Sequence, residues 1–442
     1  MNIEVNPLIQ GGTPGQIPLG GMRAFRIQKG VRVSWEPGNE KALLSLTVAC
    51  DLRQNCVLTL TSGDWKMQLD ASFASHGQKL RIPMGNRISS FVVTAAEGDG
   101  ELWIALEAPI APSFCPYSAD RNTRLEEAET RLKENALAQF SWMGGCVLNG
   151  LSEMHRVYPD QGWKIALTSW ASHFIGPEGQ LLYQNPRGTE VRNKFINIES
   201  TLPVASLAGQ PGFEAIGFYA RQMWDERTGE DGAVTDGEST AEGCYTIAYP
   251  MATLAVREGN KALIDSVLTQ LRTRKEKLFR KGKLYLRNKE ETLSFENWTR
   301  GICWYILGNY RCLSLLGDSY PDDLMNHFKE RCSWIISKQR PDGLWDNFLD
   351  EEGFPPDSSG SAGIAAALAG AYRKGLLGEE ALEAAKRCFD GLCSLLEPDG
   401  WLSSVAPNNK RGEKEQHTHL RTVEPFALGL FAQLWAVLDE IE

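Results

Sequence analysis

The chain has 442 residues, 42% of them hydrophobic and 23% charged, with a mean hydropathy of -0.30. This composition is typical of globular proteins with a substantial core, and the length suits a small domain followed by a large one. The net charge of -10 disfavours a nucleic-acid partner, and every apolar run falls short of the ~18 residues that a membrane span needs. We therefore expect neither nucleic acid nor a membrane as a partner.

The first ten residues carry Glu4 and lack the basic start and long apolar run of a secretory signal, so we expect a cytoplasmic protein. The ten cysteines form no CxxC pair and no close His/Cys spacing, which favours reduced, buried thiols over disulfides or metal ligands. The one strongly basic run, Arg272 to Lys283, is interpreted as the solvated end of a helix.

Residues 1 to about 115 show the period-two alternation of β-strands. Hydrophobic residues alternate with small or polar ones at 44–50, 58–61 and 102–106, and turn clusters such as Pro37-Gly38-Asn39 separate the runs. This pattern predicts an antiparallel β-sandwich. Prolines at 109, 112 and 116 then form a stiff connector, and a charged helix is predicted from Arg124 to Phe140.

The remainder is predicted to be helical and repetitive. Five loops carry a turn glycine followed by hydrophobic or aromatic residues, and two helical stretches lie between consecutive loops, one of them rich in small residues, as at 358–371. Six inner and six outer helices describe a six-hairpin α/α toroid with the five loops gathered at its mouth. The predicted domains are a β-sandwich at 1–115, a linker with the first helix at 116–141, and the toroid at 142–442. The five turn residues are Gly179, Gly232, Gly282, Gly343 and Gly400.

Carboxylates, tryptophans and an arginine follow these loops, at the mouth where a ligand site is expected. These residue types suit a sugar-cleaving enzyme, because acids move protons, aromatic rings stack on sugar faces and a guanidinium can fork onto a uronate carboxylate. The candidates are Glu199, Asp236, Glu238 and Glu242 among the acids, and Trp298, Arg300, Trp304, Asp357, Ser358, His417, His419 and Arg421 for binding.

The segment Trp298-Thr299-Arg300-Gly301-Ile302-Cys303-Trp304-Tyr305 resembles the W-G-R-G-N-G-W-Y motif of glycoside hydrolase families 88 and 105, the unsaturated glucuronyl and rhamnogalacturonyl hydrolases. Asp342-Gly343-Leu344-Trp345 is similar to their D-G-x-W loop, which adds Trp345 to the binding set, and 356–362 is similar to their E-T-S-G-S-A helix start. The resemblance covers roughly residues 142 to 440.

The resemblance also implies roles for individual residues. Glu242 stands where the families have their catalytic Asp, with one extra residue before Pro250, so Asp236 or Glu238 is the alternative acid/base. Arg287 stands near the position of a family His and joins the binding set.

Each candidate also has a structural interpretation that the residues leave open. Arg300 could bind backbone carbonyls or pair with an acid, and Glu242 at a helix N-terminus is favoured by the helix dipole in any helix. Asp357 before Ser358 is an ordinary N-cap, and His417 and His419 more often line a loop than bind a metal.

The function predicted on this basis is a glycoside hydrolase that removes a terminal uronic acid, in its 4,5-unsaturated form, from an oligosaccharide. One carboxyl with a raised pKa would protonate C4 and help water to add at C5, with no metal or cofactor. A saturated exo-β-uronidase would instead need two carboxyls about 6.5–9.5 Å apart for inversion, as in Glu242 with Glu199 or Asp357. A toroid lyase or sugar epimerase, a non-catalytic carbohydrate-binding protein and a homo-oligomer are left open.

Overall fold

The structure is a computed structural model, and it describes residues 3–5, 24–35, 42–83, 88–176, 178–184 and 189–441. The chain begins with strands, as predicted, whereas the turn cluster at 37–39 lies outside the described residues. The strands of this N-terminal β region are β1 (Ile3–Val5), β2 (Ala24–Ile27), β3 (Arg32–Trp35), β4 (Ala42–Thr47), β5 (Val57–Ser62), β6 (Trp65–Asp70), β7 (Lys79–Pro83), β8 (Ser90–Glu97), β9 (Leu102–Ala105) and β10 (Ser113–Pro116).

These strands pair antiparallel in three sheets, with the orders β1-β3-β8-β5-β6, β10-β4-β7 and β2-β9. An isolated bridge between Val48 and Ile104 links the second and third sheets. Residues such as Val33, Leu60 and Phe91 form a hydrophobic core of their own, separate from that of the helices. An antiparallel β fold therefore precedes the helical part, which confirms this half of the predicted fold class.

Strand β4 is buried on both faces, although its sequence alternates between apolar and polar residues. Ser45 and Thr47 are each 2% exposed, and the Thr47 hydroxyl accepts a hydrogen bond from the ammonium of Lys79 at 3.1 Å. The backbone N–H of Lys79 donates to the carbonyl of Val423 at 2.9 Å. The polar face of the β4–β7 pair therefore packs against the helical region, where alternation usually marks a face open to water.

The helical region supplies thirteen α-helices within the described residues, and none of them combines the length and hydropathy needed to cross a bilayer. They are α1 (Arg121–Thr130), α2 (Trp142–Val157), α3 (Trp163–Ser172), α4 (Val204–Leu207), α5 (Ile216–Arg227), α6 (Tyr249–Glu258), α7 (Lys261–Leu278), α8 (Thr299–Leu316), α9 (Asp322–Ser337), α10 (Ser358–Arg373), α11 (Glu379–Leu395), α12 (Glu413–Gln416) and α13 (Pro425–Ile441).

Shorter elements connect these helices. The π-helical turns are Arg131–Asn135 and Cys244–Ala248, and the 3-10 turns are Ile198–Thr201, Gly317–Ser319 and Asn409–Arg411. The strands are β11 (Leu182–Gln184), β12 (Glu190–Arg192), β13 (Ser239–Thr240), β14 (Phe279–Arg280), β15 (Lys283–Lys289) and β16 (Thr292–Glu296).

The helices form six hairpins, which confirms the predicted α/α toroid. The inner helices α2, α4, α6, α8, α10 and α13 contact one another in that order, and α13 contacts α2 to close the ring. Inner helices are rich in small residues because they approach closely: a Cβ on Gly363 of α10 would lie 2.2 Å from the sulfur of Cys303 on α8. The helix predicted at 124–140 begins at Arg121 and ends in a π-helical turn at Asn135.

The five turn glycines share one conformation, with φ between 75° and 84°. L side chains rarely adopt this left-handed region, so the repeated glycines have a direct structural reason. Four of the loops also contact the next outer helix: Gly232 meets α7, Gly282 meets α9, Gly343 meets α11 and Gly400 meets α1. The last of these contacts closes the outer ring.

All ten cysteines are unpaired, and nine of them are buried, as expected. The prediction for the basic run at 272–283 is wrong at Arg274, which is only 1% exposed. Its guanidinium donates to the carbonyls of Thr240 at 3.1 Å and Val234 at 2.7 Å. Arg274 therefore anchors the second glycine loop instead of lying in solvent.

Candidate active site

A cleft with about 640 Å³ of space, part of it open to solvent, lies at the start of the inner helices. Its walls come from residues 139–143 before and at the start of α2, from 196–200, and from the starts of α6 and α8. Residues 408–410 and two residues of the β region complete the rim. The structure thus places a concave site where the sequence predicted one.

Glu242 lines this cleft just before the π-helical turn that leads into α6. A π-helical turn holds one residue more than an α-helical turn, so it can absorb an inserted residue without moving the flanking chain. The turn can therefore accommodate an extra residue before Pro250 with Glu242 at the cleft. The carboxyl group of Glu242 has no hydrogen-bond partner among the described residues.

The surroundings of Glu242 favour its protonated form. Burial in the cleft wall and the nearby carboxyl of Glu199 raise the pKa of Glu242 from 4.5 to about 8, with a smaller contribution from Glu238. Arg287 and Arg300 act in the opposite direction but do not cancel the rise. A carboxylic acid that still holds its proton near neutral pH can act as a general acid.

Glu199 also lines the cleft, on the 3-10 turn Ile198–Thr201. Its side chain is open to the cleft yet surrounded by protein on several sides, and this loss of bulk water is the main reason that its pKa is raised. Asp236 and Asp51 add to the rise, whereas Lys410 and Arg53 oppose it.

Asp236 itself lies outside the cleft wall. Its carboxylate accepts a hydrogen bond from the backbone N–H of Ile198 at 3.0 Å and pairs with Arg227 at 2.7 Å. Asp236 therefore positions the turn that carries Glu199. Since its carboxylate is already engaged, Glu242 is the better candidate for proton transfer.

Gly243 follows Glu242 directly, where the absence of a side chain could leave room for a substrate. A Cβ at Gly243 would lie 2.2 Å from the guanidinium of Arg274. The space beside Gly243 is therefore filled by Arg274 and is closed to a substrate.

Tryptophans form the apolar walls of the cleft. Trp298 and Trp304 both line it although they are six residues apart, because Trp298 precedes α8 in extended backbone and does not follow the helical period. The Trp298 indole donates to Asn347 at 3.1 Å. Trp304 stacks on Tyr245 with ring centroids 5.7 Å apart, and Trp142 meets it edge-on at 5.5 Å. Trp298 and Trp304 are almost fully buried, so of these rings the half-buried Trp142 is the one open to the apolar face of a sugar.

Arg300 lines the cleft, but three of its five N–H donors bind protein acceptors. The guanidinium donates to the carbonyls of Ala406 at 2.7 Å and Pro407 at 2.8 Å, and to the Ser359 hydroxyl at 3.3 Å, and the residue is only 3% exposed. This geometry contradicts a bidentate fork from Arg300 onto a uronate carboxylate and agrees with the other interpretation, that Arg300 binds backbone carbonyls. It holds the 406–407 segment against α10.

Arg287 lies on β15 opposite Thr240, within 3.7 Å of Glu238. It does not line the cleft directly, and its guanidinium lies 5.6 Å from the ring centre of Phe295. Its positive charge reaches the carboxyl of Glu242, as described above. A role for Arg287 in tuning Glu242 fits this position better than direct contact with substrate.

The structure does not bring the remaining candidates to the cleft wall. Asp357 and Ser358 are fully buried, and Asp357 caps α10 while its carboxylate accepts from the N–H of Ala406 at 3.1 Å. The indole of Trp345 donates to the Ile335 carbonyl in the core at 2.8 Å.

The His417, His419 and Arg421 segment is likewise placed away from the cleft. His417 stacks on Phe348 with centroids 4.2 Å apart and pairs with Glu351 at 3.0 Å, while His419 is exposed. Arg421 donates to the backbone carbonyls of nearby loops, among them that of Pro356 at 3.0 Å. This placement gives no support to their predicted contact with substrate.

Sequence reasoning missed several residues that line the cleft, namely Asp51, Arg53, Trp142, Tyr183, Asn408 and Lys410. Trp142 follows Ser141, the N-cap of α2. A capping serine marks the start of this inner helix, so Trp142 could have been predicted to lie at the mouth of the toroid. The others come from the β region, from β11 and from a long loop. No periodic pattern marks them, because only the packing of distant segments brings them together.

The comparisons agree with this fold. The sequence model described as Glycosyl Hydrolase Family 88 matches residues 116–440, and no curated protein matches the chain. The match begins before α1, the helix that closes the outer ring, and so extends further towards the N-terminus than the predicted resemblance.

Three solved structures illustrate the similarity. A family 105 glycoside hydrolase from C. acetobutylicum is 17% identical, with a TM-score of 0.62 over 73% of this chain and 100% of its own. A possible member of family 105 from Salmonella enterica is 14% identical, with a TM-score of 0.62 over 73% of this chain and 96% of its own. An unsaturated glucuronyl hydrolase from Bacillus sp. GL1 is 14% identical, with a TM-score of 0.53 over 72% of this chain and 94% of its own.

Identities this low establish a shared fold and leave function to the site. The family match, in contrast, spans well over half of the sequence and includes every helix of the toroid. The chain therefore belongs to glycosyl hydrolase family 88 and is a glycoside hydrolase.

Proposed function

We propose that this enzyme removes a terminal uronic acid, in its 4,5-unsaturated form, from oligosaccharides. The observation that carries the proposal is the carboxyl of Glu242, which lines the cleft, lacks a hydrogen-bond partner among the described residues and has its pKa raised to about 8. A free carboxylic acid at neutral pH is the group needed to protonate a vinyl ether carbon.

The reaction needs one proton donor and one water molecule. Glu242 gives its proton to C4 of the unsaturated sugar, which leaves positive charge at C5 and the ring oxygen. Water then adds at C5 and passes a proton to the Glu242 carboxylate, so the acid is regenerated. The resulting hemiketal opens and releases the next sugar as an alcohol.

The other groups of the cleft support this chemistry. Trp142, which is half-buried, offers an aromatic face for a sugar ring, while Trp298 and Trp304 form the buried base of the cleft. Glu199 keeps the pKa of Glu242 high by like-charge repulsion, and its open carboxyl can accept hydrogen bonds from sugar hydroxyls. The similarity to an unsaturated glucuronyl hydrolase from Bacillus sp. GL1 is consistent with this substrate class.

The alternatives kept open by the sequence fare differently. Glu199 and Glu242 both line the cleft, so a two-carboxylate hydrolysis of saturated uronides remains the second candidate. A lyase or epimerase using His417 or His419 finds no support, since no histidine is among the described residues that line the cleft. A non-catalytic carbohydrate-binding role would be favoured by a Glu242 that points away from the mouth, whereas Glu242 lines the cleft.

A single assay separates these functions. Purified enzyme is given a disaccharide with a 4,5-unsaturated terminal uronate and, separately, its saturated counterpart. We expect the enoate absorbance to disappear and the saturated sugar to survive. Cleavage of the saturated sugar alone would favour the two-carboxylate mechanism, and an increase in enoate absorbance on a polymer would identify a lyase.

A further inference from the structure

The β region reaches the cleft through the segment that follows β4. Asp51 and Arg53 line the cleft beside Lys410 of the helical region. The Asp51 carboxylate accepts a hydrogen bond from the ammonium of Lys410 across this contact, and the N–H of His76, also in the β region, donates to the same carboxylate at 2.8 Å. The Asn408 amide also donates to the hydroxyl of Ser75 at 3.2 Å. The β region is therefore part of the cleft wall.

Arg53 and Lys410 keep unused donors that are directed at the cleft. Arg53 gives one N–H to Asp51 at 3.2 Å, and no other described residue accepts from its guanidinium. Its side chain is 49% exposed, whereas that of Asp51 is 1% exposed. Lys410 has three ammonium hydrogens and gives one to Asp51. Asp51 thus holds two cations side by side without consuming their donors.

Two of the cations in the cleft wall are open to a ligand. Three cations line the cleft (Arg53, Arg300 and Lys410) and three acids (Asp51, Glu199 and Glu242). Arg300 is buried against protein acceptors, whereas the side chains of Arg53 and Lys410 are 49% and 22% exposed. Arg53 and Lys410 both act on the carboxyl of Glu199, so they lie within electrostatic reach of the reacting sugar.

Arg300 is only 3% exposed, and both of its terminal nitrogens donate to the Ala406 and Pro407 carbonyls, so its guanidinium is directed at the protein in the observed conformation. A terminal uronate nevertheless brings a carboxylate that must be paired when it leaves water. The free donors of Arg53 and Lys410 are the ones that the cleft offers for this purpose.

We infer that Arg53 of the β region and Lys410 of the helical region together bind the carboxylate of the terminal uronate, so that the β region completes the substrate site. The inference rests on the proposed function, in that it assigns a recognition site for that substrate. Arg53 and Lys410 are binding residues here, and Asp51 is the positioning residue that sets their spacing.

The test uses a substrate whose only carboxylate is that of the uronate, namely a p-nitrophenyl 4,5-unsaturated glucuronide, together with its methyl ester. Arg53→Ala is expected to lower kcat/KM on the acid by about tenfold to a hundredfold, mainly through KM, because a charge-assisted hydrogen bond is lost. On the ester, which has no anionic group, Arg53→Ala should have little effect. Lys410→Gln should likewise lower the ratio of kcat/KM on the acid to kcat/KM on the ester.

Two controls separate recognition from folding. Arg26→Ala removes an exposed arginine of β2, paired with Glu101 and away from the cleft, and should leave both substrates unaffected. Arg53→Lys should recover part of the discrimination, since it restores the charge without the fork. Circular dichroism and thermal melting of each variant show whether the cleft is still assembled.

The outcomes distinguish this inference from the proposed function. An unchanged acid-to-ester ratio in Arg53→Ala and Lys410→Gln, or an equal loss on both substrates, would overturn the inference while the enzyme still consumed the enoate. If the wild type consumes neither compound, the proposed function fails. In that case, binding of the acid and of the ester is measured by quenching of the fluorescence of the cleft tryptophans. Weaker binding of the acid by Arg53→Ala than by the wild type supports the inference. Equal binding of the acid by the two proteins overturns it.

Discussion

Replacing Glu242 by Gln tests the centre of the mechanism. Glutamine keeps the size and polarity of the side chain but cannot give up a proton. We expect kcat to fall by about a hundredfold or more, the usual scale for a general acid/base group, with KM changed far less.

The surroundings of Glu242 decide what fraction of the enzyme carries the acid form. With a pKa of about 8, roughly nine-tenths of the Glu242 carboxyls hold a proton at pH 7. A glutamate with its ordinary pKa of 4.5 would be protonated in only about 0.3% of molecules at the same pH. The cleft therefore raises the population of the acid form by roughly 300-fold.

The pH profile gives an independent check. Activity that depends on the protonated acid should decline as the pH rises through about 8, the pKa of Glu242 within its pair with Glu199. The stability of the protein should show the corresponding trend. The raised pKa means that the folded state binds the proton of Glu242 more tightly than the unfolded chain does. Ionisation of Glu242 therefore lowers the free energy of unfolding: the loss is absent below pH 4.5, grows as the pH rises, and is complete above about 8.

The assay is the loss of enoate absorbance on an unsaturated disaccharide, measured from pH 5 to about 9, with thermal melts in the same buffers. Glu242→Gln should be at least as stable as the wild type at pH 9, because it removes a buried charge. Asp236→Asn is the matched control, since Asp236 only positions the turn that carries Glu199. If Glu242→Gln stays near wild-type activity and Asp236→Asn abolishes it, the acid lies in the loop and the assignment of Glu242 is refuted.

Three further predictions address the neighbours of Glu242 and the scaffold. Glu199→Gln removes like-charge repulsion and should shift the alkaline limb of the kcat profile to lower pH; an unshifted limb would mean that Glu199 does not set the pKa of Glu242. Arg300→Lys should lower the free energy of unfolding, measured in urea, by about 2–3 kcal/mol, because buried charge-assisted hydrogen bonds to the Ala406 and Pro407 carbonyls are lost. Unchanged stability with a raised KM would instead indicate that Arg300 binds the substrate carboxylate. Gly400→Ala should lower the free energy of unfolding by more than about 3 kcal/mol, because Gly400 has a φ of +84° and a Cβ there would lie 2.3 Å from the backbone of Glu127. Gly282→Ala should lower it by only about 1 kcal/mol, because Gly282 has a φ of +80° but open space around it. Equal melting temperatures for the two variants would show that the contact with α1 is unimportant.

Much of the toroid could be predicted from the sequence because its determinants are local. Turn glycines at 179, 232, 282, 343 and 400 mark positions where the chain needs a positive φ, and each lies between helices whose apolar stripes follow the helical period. The small residues of 358–371 predicted an inner helix, and the structure has α10 from Ser358 to Arg373. Local pattern also placed Glu242 at the start of an inner helix, where it is found.

The details of the site depend on contacts that no local pattern contains. Arg300 was expected to bind substrate, but its partners are carbonyls more than a hundred residues further along the chain. The alternation of apolar and polar residues in β4 predicts that its polar face is exposed to solvent, yet the helical region covers this face.

Sequence alone therefore determined the order of β and helical regions and the hairpin repeat, and it offered Glu242 at the head of α6 as one of three candidate acids. The tertiary structure decided which groups meet at the cleft: Asp51 and Lys410 are 359 residues apart in the chain, and Glu199 raises the pKa of Glu242 from a different loop. Periodicity and turn chemistry report the conformation of neighbouring residues. Charge coupling and burial depend on distance in space, which is set only when the two regions pack together.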